Sequence, residues 1–123
     1  MKLLLTSSGI GVKDEIIKFI PKPYSNTKVA YVITASKMEN IISYLNAETE
    51  LLKNLGCVVE LITFENCSEE KAGNLLKDKN LIYVQGGNTF YLLKVLKESG
   101  ADKIIIDMVK TGIPYIGVSA GAI

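Results

Sequence analysis

The pentapeptide GVSAG, at Gly117–Gly121, follows a short apolar run and matches the pattern G-x-S-x-G. In a nucleophile elbow the serine lies in a sharp turn between a strand and a helix, so the residues two positions away must be small. Both of those residues are glycine in this chain. The pattern predicts Ser119 as a nucleophile, with the N–H of Ala120 as a donor to the oxyanion of an acyl-transfer reaction.

A second glycine-rich segment, QGGNT at residues 85–89, also follows an apolar run. Its glycines leave backbone N–H groups unobstructed just before a predicted helix, whose dipole favours negative charge. We expect the N–H groups of Gly87 and Ala120 to form one oxyanion hole beside the serine. Taken alone, the segment has two alternative interpretations: a tight turn in which Asn88 or Thr89 caps the helix, or a phosphate-binding loop.

Two other predicted strand ends carry weaker patterns. TSSGIG, at Thr6–Gly11, contains small residues and hydroxyls but matches neither G-x-G-x-x-G nor G-x-x-x-x-G-K. TAS, at Thr34–Ser36, is equally typical of a pocket lining and of a helix cap. Neither segment by itself indicates a particular chemistry.

The elements that carry these segments follow from the alternation of short β-rich runs with longer segments of helical period. This alternation indicates βαβ units around a parallel sheet, and strands that are nearly continuous in apolar residues are typically covered on both faces. The predicted strands are Lys2–Thr6, Lys28–Thr34, Cys57–Thr63, Leu81–Gln85 and Pro114–Val118.

The helical segments between the strands have recognisable ends. Ser68 is a candidate N-cap, and Gly56, Gly100 and Gly112 are expected to close the helices that precede them. In the longest helix we expect one apolar face to pack on the sheet. The predicted helices are Val12–Ile20, Met38–Gly56, Ser68–Lys79, Asn88–Gly100 and Ala101–Gly112.

Five strands joined by helical crossovers predict an open, doubly wound, mainly parallel sheet, within a single α/β domain over residues 1–123. Ligands of such sheets bind beyond the carboxyl ends of the strands. Both glycine-rich segments are predicted to lie at such ends. We therefore expect the chemistry of this protein at that edge of the sheet.

Composition narrows the function classes. The chain has 14 lysines, no arginine and no histidine, and its 13 acidic residues are dispersed, so a nucleic-acid partner is not indicated. The start MKLLLT is too short for a signal peptide, and no apolar run approaches the ~20 residues of a membrane span. We expect a cytoplasmic protein with no membrane partner, in which Cys57 and Cys67 are reduced thiols.

Two longer segments, YVQGGNTFYLL at Tyr83–Leu93 and YIGVSAGA at Tyr115–Ala122, resemble the peptidase E family of serine peptidases. This family comprises aspartyl dipeptidases and is related to cyanophycinases. The segments VITAS, at Val32–Ser36, and LTSS, at Leu5–Ser8, are similar to the family as well.

The resemblance implies a flavodoxin-like, three-layer fold similar to class I glutamine amidotransferases, and hydrolysis of small peptides, dipeptides with an N-terminal aspartate. By position, Ser119 is implied as the nucleophile, Gly87 and Ala120 as oxyanion donors, and Asn88 with Thr89 as substrate-binding residues. No metal or organic cofactor is expected. An amidotransferase would carry cysteine at the elbow, so the serine favours the hydrolase branch.

The chain also departs from the family pattern. The resemblance implies a histidine base and an acidic partner after the nucleophile, but this sequence contains no histidine and ends at Ile123. Asp107 is not a substitute, because we expect it on a solvated helix face. We therefore expect the chain alone to be inactive. We also expect the sheet to be truncated after the elbow and to keep an exposed apolar face or an open edge.

Two interpretations remain open. In the first, the chain is the N-terminal portion of a larger peptidase E-like domain, obtained by truncation, proteolysis or a split gene, and a complementing C-terminal fragment completes it. In the second, it is a shortened relative, a noncatalytic α/β binding or interaction module, whose QGGNT segment holds an anion. A partner or a second copy would then occupy the uncovered sheet.

Overall fold

The computed structural model describes residues 3–6, 13–20, 22–33, 49–84 and 89–118. Each predicted strand is confirmed, with ends that differ by no more than two residues. The strands are β1 (Leu3–Thr6), β2 (Lys28–Val32), β3 (Val58–Ile62), β4 (Leu81–Val84) and β5 (Tyr115–Val118).

The described helical segments lie within the predicted helices. They are α1 (Lys13–Phe19), α2 (residues 49–54), α3 (Glu69–Leu76), α4 (Thr89–Ser99) and α5 (Ala101–Lys110). The segment between α1 and β2 contains a short 3₁₀ turn, Tyr24–Asn26. The part of the longest predicted helix before residue 49 lies outside the described residues.

The predicted helix ends are explained by local chemistry. The Ser68 hydroxyl accepts a hydrogen bond of 3.2 Å from the backbone N–H of Lys71, which confirms it as the N-cap of α3. Gly56, Gly100 and Gly112 have φ values of 102°, 75° and 107°. Residues with a side chain rarely adopt this region, so glycine at these positions lets the chain turn out of a helix.

All strand pairs in the sheet are parallel, and the strand order is β1-β5-β4-β2-β3. From β1 to β3 the chain moves across the sheet in one direction, and from β3 through β4 to β5 it moves back. Because crossovers are right-handed, the helices that join β1 to β3 lie on one face of the sheet, and those that join β3 to β5 lie on the other. The predicted α/β fold with a doubly wound parallel sheet is confirmed.

Two apolar clusters, one on each face of the sheet, form the core. On the first face α1 and α2 cover alternate residues of the central strands, among them Val29, Tyr31, Leu81 and Tyr83. On the second face α3, α4 and α5 cover the other residues of the same strands, such as Ala30, Val32, Ile82 and Val84. Because side chains alternate between the two faces along a strand, the same strands supply both clusters.

Coverage of the strands depends on their place in the sheet. β4 is buried throughout, and β2 is buried after its first residue, as near-continuous apolar runs predict. At the two ends of the sheet the prediction does not hold, because β1 and β3 expose apolar side chains. Leu5 of β1 is 53% exposed and Leu61 of β3 is 52% exposed.

Candidate active site

The carboxyl ends of three neighbouring strands define the candidate site. β5 lies between β1 and β4, with Thr6 opposite Val118 on one side and Val84 opposite Gly117 on the other. Neighbouring strands in a sheet are ~4.8 Å apart. The chain therefore leaves β5 next to the points where it leaves β1 and β4.

The predicted site residues follow directly from these strand ends. Ser119 and Ala120 come immediately after β5, and Gly87 and Asn88 come shortly after β4, but all four lie outside the described residues. Thr89 is the first residue of α4. The structure thus brings together the strands that precede the two motifs.

α4 begins at this same edge of the sheet, and four residues separate its first residue from the end of β4. It is fixed against the second cluster by the buried side chains of Leu92 and Val95. A helix N-terminus carries a partial positive charge and backbone N–H groups without helical partners. The position of α4 therefore provides a field suited to developing negative charge beside the ends of β4 and β5.

A hydrogen-bonded group at the end of β3 holds the first turn of α4. The Tyr91 hydroxyl donates to Glu65 Oε2, and the Thr63 hydroxyl donates to Glu65 Oε1 over 2.9 Å. The Cys67 thiol donates to the backbone oxygen of Thr63 over 3.6 Å. These contacts tie the segment after β3 to the helix that starts beside the candidate site.

Between that segment and α4 lies a cavity of about 380 Å³, lined by residues 64–67 and by one side of α4. Its charged side chains are Glu65, Lys94 and Glu98. No motif marks the end of β3, and Glu65 and Tyr91 are 26 residues apart in the chain. The signal that could have found them is positional, since polar residues after β3 lie at the carboxyl edge of the sheet.

Two ionisable side chains of the described strands and their ends, Tyr115 and Cys57, do not act as a general base. Burial raises the pKa of Tyr115 to about 12 and raises the pKa of the Cys57 thiol, so both stay protonated at neutral pH. Asp107 is exposed on α5, as expected. The 123-residue sequence contains no histidine.

No group of three or more histidine, cysteine, aspartate or glutamate side chains among the described residues is placed to hold a metal ion. Across the same residues no helix has the length and apolar character to cross a membrane. Cys57 and Cys67 form no disulfide in the structure.

The chain is similar to known peptidases over nearly its whole length. The model of peptidase family S51 matches residues 3–123. An uncharacterized peptidase of Listeria monocytogenes is 39% identical over 121 residues, which are 98% of this chain and 58% of the relative. A protein named peptidase E from Nostoc is 28% identical over 127 residues, which cover 98% of this chain and 51% of the relative.

A solved crystal structure is similar to this chain in its fold. The 1.5 Å crystal structure of a candidate peptidase E from Listeria monocytogenes EGD-e is 38% identical and superposes with a TM-score of 0.90. The match covers 99% of this chain and 60% of that chain. This chain therefore spans little more than half the length of the relatives that it matches.

Proposed function

The chain belongs to peptidase family S51, and from this membership we propose that it carries the nucleophile-bearing part of a serine peptidase that cleaves dipeptides with an N-terminal aspartate. One observation supports the proposal most directly: β5 lies between β1 and β4, with Gly117 opposite Val84. The segments that contain Ser119 and Gly87 therefore leave neighbouring strands at one edge of the sheet.

In the proposed reaction the Ser119 Oγ attacks the carbonyl carbon of the peptide bond, and the backbone N–H groups of Gly87 and Ala120 stabilise the oxyanion. Loss of the amine of the second residue leaves an ester on Ser119, which water then hydrolyses to free aspartate and serine. The N-terminal end of α4 adds a favourable field for the oxyanion. Asn88 and Thr89 contact the substrate in this proposal.

The base that accepts the Ser119 proton must come from elsewhere, because this sequence has no histidine and serine is a weak nucleophile without a base. We assign the base and its acidic partner to a polypeptide region equivalent to the part of the relatives that this chain does not span. The 123-residue chain alone is then inactive. A cytoplasmic location stays a prediction of the sequence.

The test of this proposal compares aspartyl-dipeptide hydrolysis by the protein completed with that region and by its Ser119→Ala variant. Removal of the nucleophile is expected to lower kcat by at least about 10⁴-fold. Ser25→Ala is the matched control, because Ser25 is exposed in the 3₁₀ turn, and it should keep full activity. Turnover that survives Ser119→Ala would exclude Ser119 as the nucleophile.

The second candidate function is a noncatalytic module that binds an anion at QGGNT. It is favoured by the start of α4 at Thr89, directly after this segment. Titration with inorganic phosphate or free aspartate separates the two functions. Chemical-shift changes of the Gly86 and Gly87 amides report the binding. Anion binding that is equally tight in the 123-residue chain and in a completed protein, together with no hydrolytic activity of the completed protein, would favour the module.

A further inference from the structure

We propose that the cavity between the segment after β3 and α4 is a second ligand site, which binds a small zwitterion with an aliphatic side chain, as in a free amino acid or a dipeptide. This cavity, the α4 cavity, is lined by residues 64–67 and by one side of α4. Its volume of about 380 Å³ lies within the range of roughly 300–1,000 Å³ that is usual for small-molecule sites. The proposal concerns binding alone and does not depend on the proposed reaction.

The α4 cavity lies at the carboxyl edge of the sheet but away from the candidate active site. The segment that follows β3 supplies one wall, and β3 is three strand positions from β5 in the order β1-β5-β4-β2-β3. At ~4.8 Å between neighbouring strands, this separation is about 14 Å. A ligand of the cavity therefore occupies a different place from a substrate bound between the ends of β4 and β5.

The buried part of the cavity lining is apolar. Phe64 is 1% exposed and Val95 is 6% exposed, and both belong to the core cluster that contains residues of α3, α4 and α5. The wall opposite α4 is a tight turn, in which the backbone N–H of Cys67 donates to the Phe64 oxygen over 3.2 Å. An aliphatic side chain of a ligand can therefore contact apolar groups that the fold already holds in place.

A carboxylate is fixed in this wall. Glu65 lines the cavity, and its two carboxylate oxygens accept hydrogen bonds from the hydroxyls of Thr63 and Tyr91. Because these bonds hold the carboxylate from β3 and from α4 together, its position does not depend on a ligand. Glu65 therefore gives the cavity a fixed negative charge.

Two opposite charges line the cavity from α4. Lys94 and Glu98 are exposed and lie four residues apart on the side of the helix that faces the cavity. A lysine that precedes a glutamate by four residues is the less favourable order for a helical ion pair. In the described part of the chain no ion pair joins these two side chains. The Lys94 ammonium and the Glu98 carboxylate can therefore each contact a ligand.

The charges of the lining select the class of ligand. A ligand with a carboxylate and no ammonium would face the like charges of Glu65 and Glu98, and a ligand with an ammonium and no carboxylate would face the like charge of Lys94. A zwitterion can place its carboxylate at Lys94 and its ammonium at Glu98. Hydrogen bonds between ionised groups are the stronger ones, so this class gains two of them while its aliphatic group contacts Phe64 and Val95.

Calorimetric titration of the protein with L-leucine tests the ligand class. Isocaproate, which is leucine without its ammonium, and isoamylamine, which is leucine without its carboxylate, are the matched control ligands. Leucine should bind at least about tenfold more tightly than either, because each control lacks one charge-assisted hydrogen bond. A parallel titration with the dipeptide Leu-Gly distinguishes the two sources of the zwitterion, and the source is the one that binds more tightly.

Variants of the protein locate the binding. Lys94→Met and Glu98→Gln should each weaken leucine binding about tenfold, and far-UV circular dichroism checks that they are folded. Lys97→Met is the matched control, because Lys97 is exposed on α4 and does not line the cavity; it should bind leucine as the parent protein does. Leucine should also slow the reaction of Cys67 with a thiol reagent, since Cys67 lines the cavity.

The proposal also requires the site to be separate from the candidate nucleophile, so Ser119→Ala should bind leucine with unchanged affinity. Loss of binding in this variant would overturn the proposal. So would the absence of binding by both zwitterions, leucine that binds no more tightly than isocaproate or isoamylamine, equal losses in Lys94→Met and Lys97→Met, or binding that leaves the reaction of Cys67 unchanged.

Discussion

Gly100 forms the corner between α4 and α5 with a φ of 75°, and the space around it is tight. A Cβ at this position would lie 3.1 Å from Glu69 Cγ, whereas at Gly112, with a φ of 107°, a Cβ would meet nothing within 4 Å. The two glycines share the backbone requirement and differ in packing. Substitutions at these two glycines can therefore separate the cost of a positive φ from the cost of a steric contact.

We predict that Gly112→Ala lowers the free energy of unfolding by about 1–2 kcal/mol, the cost of a positive φ for a residue with a Cβ. Gly100→Ala should cost more, because the Glu69 side chain must also move. The control is Gly73→Ala within α3, where a Cβ makes an ordinary contact of 3.9 Å. The higher helix propensity of alanine should raise the free energy of unfolding of this variant by about 0.5–1 kcal/mol. Urea unfolding measures all three, and equal losses at Gly100 and Gly112 would contradict the steric argument.

The pair Tyr91 and Glu65 is the other residue-scale feature with a direct test. Hydrogen bonds to charged groups contribute about 1.5–3 kcal/mol, so Tyr91→Phe should lower the free energy of unfolding measurably in the parent chain. In a Glu65→Ala background the same substitution should cost little. A double-mutant cycle by urea unfolding is expected to show coupling of about 1 kcal/mol or more, and additive effects would mean that the contact does not stabilise the fold.

At the scale of elements, a cluster of charged residues links β2, β3 and the start of β4 at the amino edge of the sheet, opposite the candidate site. The Lys79 ammonium, on a side chain only 5% exposed, lies 2.6 Å from Asp78 Oδ1 and 3.4 Å from Glu60 Oε1 of β3. Lys28, at the start of β2, lies 3.7 Å from Asp78 Oδ2. The entry to β4 is therefore fixed to both β2 and β3 by ion pairs.

These contacts predict a pH dependence. The hydrogen bond from Lys79, together with the charges of Lys79 and Lys28, lowers the pKa of Asp78 below its ordinary 3.8. The stabilisation is thus fully present above pH 3.8 and is lost as pH falls through the lower pKa of the folded state. Asp78→Asn should be less stable than the parent chain at pH 7, and the difference should shrink towards pH 2.

Urea unfolding at pH 7, 5, 3 and 2 measures this difference, with Asp107→Asn on an exposed face of α5 as the control. The control should change stability little at any of these values. A difference between the parent chain and Asp78→Asn that stays constant from pH 7 to pH 2 would show that the carboxylate charge of Asp78 is not what stabilises the fold.

For the whole molecule, the two apolar clusters pack on opposite faces of one sheet, so loss of the sheet would open both clusters. Cys57 belongs to the cluster with α1 and α2 and is 6% exposed, whereas Cys67 is half-buried after β3. Ile116, fully buried on β5, lies in the same cluster as Cys57. The two thiols therefore report local and global opening separately.

We predict that a thiol reagent labels Cys67 in the folded protein and reaches Cys57 only through global unfolding. Ile116→Ala, expected to cost about 2–5 kcal/mol, should accelerate the labelling of Cys57 at least tenfold. Ile106→Ala, at a residue 52% exposed, is the matched control and should change the rate little. Labelling of Cys57 as fast as Cys67 in the parent chain would contradict the shared core.

Much of this fold follows from local patterns. The strand and helix segments, the cap at Ser68 and the glycines that close helices were predictable because periodicity, capping and φ preference depend on residues close together in the chain. The hydrogen bond between Tyr91 and Glu65 and the cavity beside it were not, since they join elements that no local pattern relates. The arrangement of Ser119, Ala120, Gly87 and Asn88 stays a prediction.

The sequence by itself predicted the type of chemistry of this protein, from a serine between two glycines in G-x-S-x-G, a second glycine-rich segment before a predicted helix, and the absence of a histidine base. Tertiary structure alone decided the strand order, which places β5 between β1 and β4 and leaves Leu3 and Leu5 exposed at one end. Strand order depends on the handedness of crossovers and on how helices cover each face. These are properties of distant segments packed together, and the local sequence does not encode them.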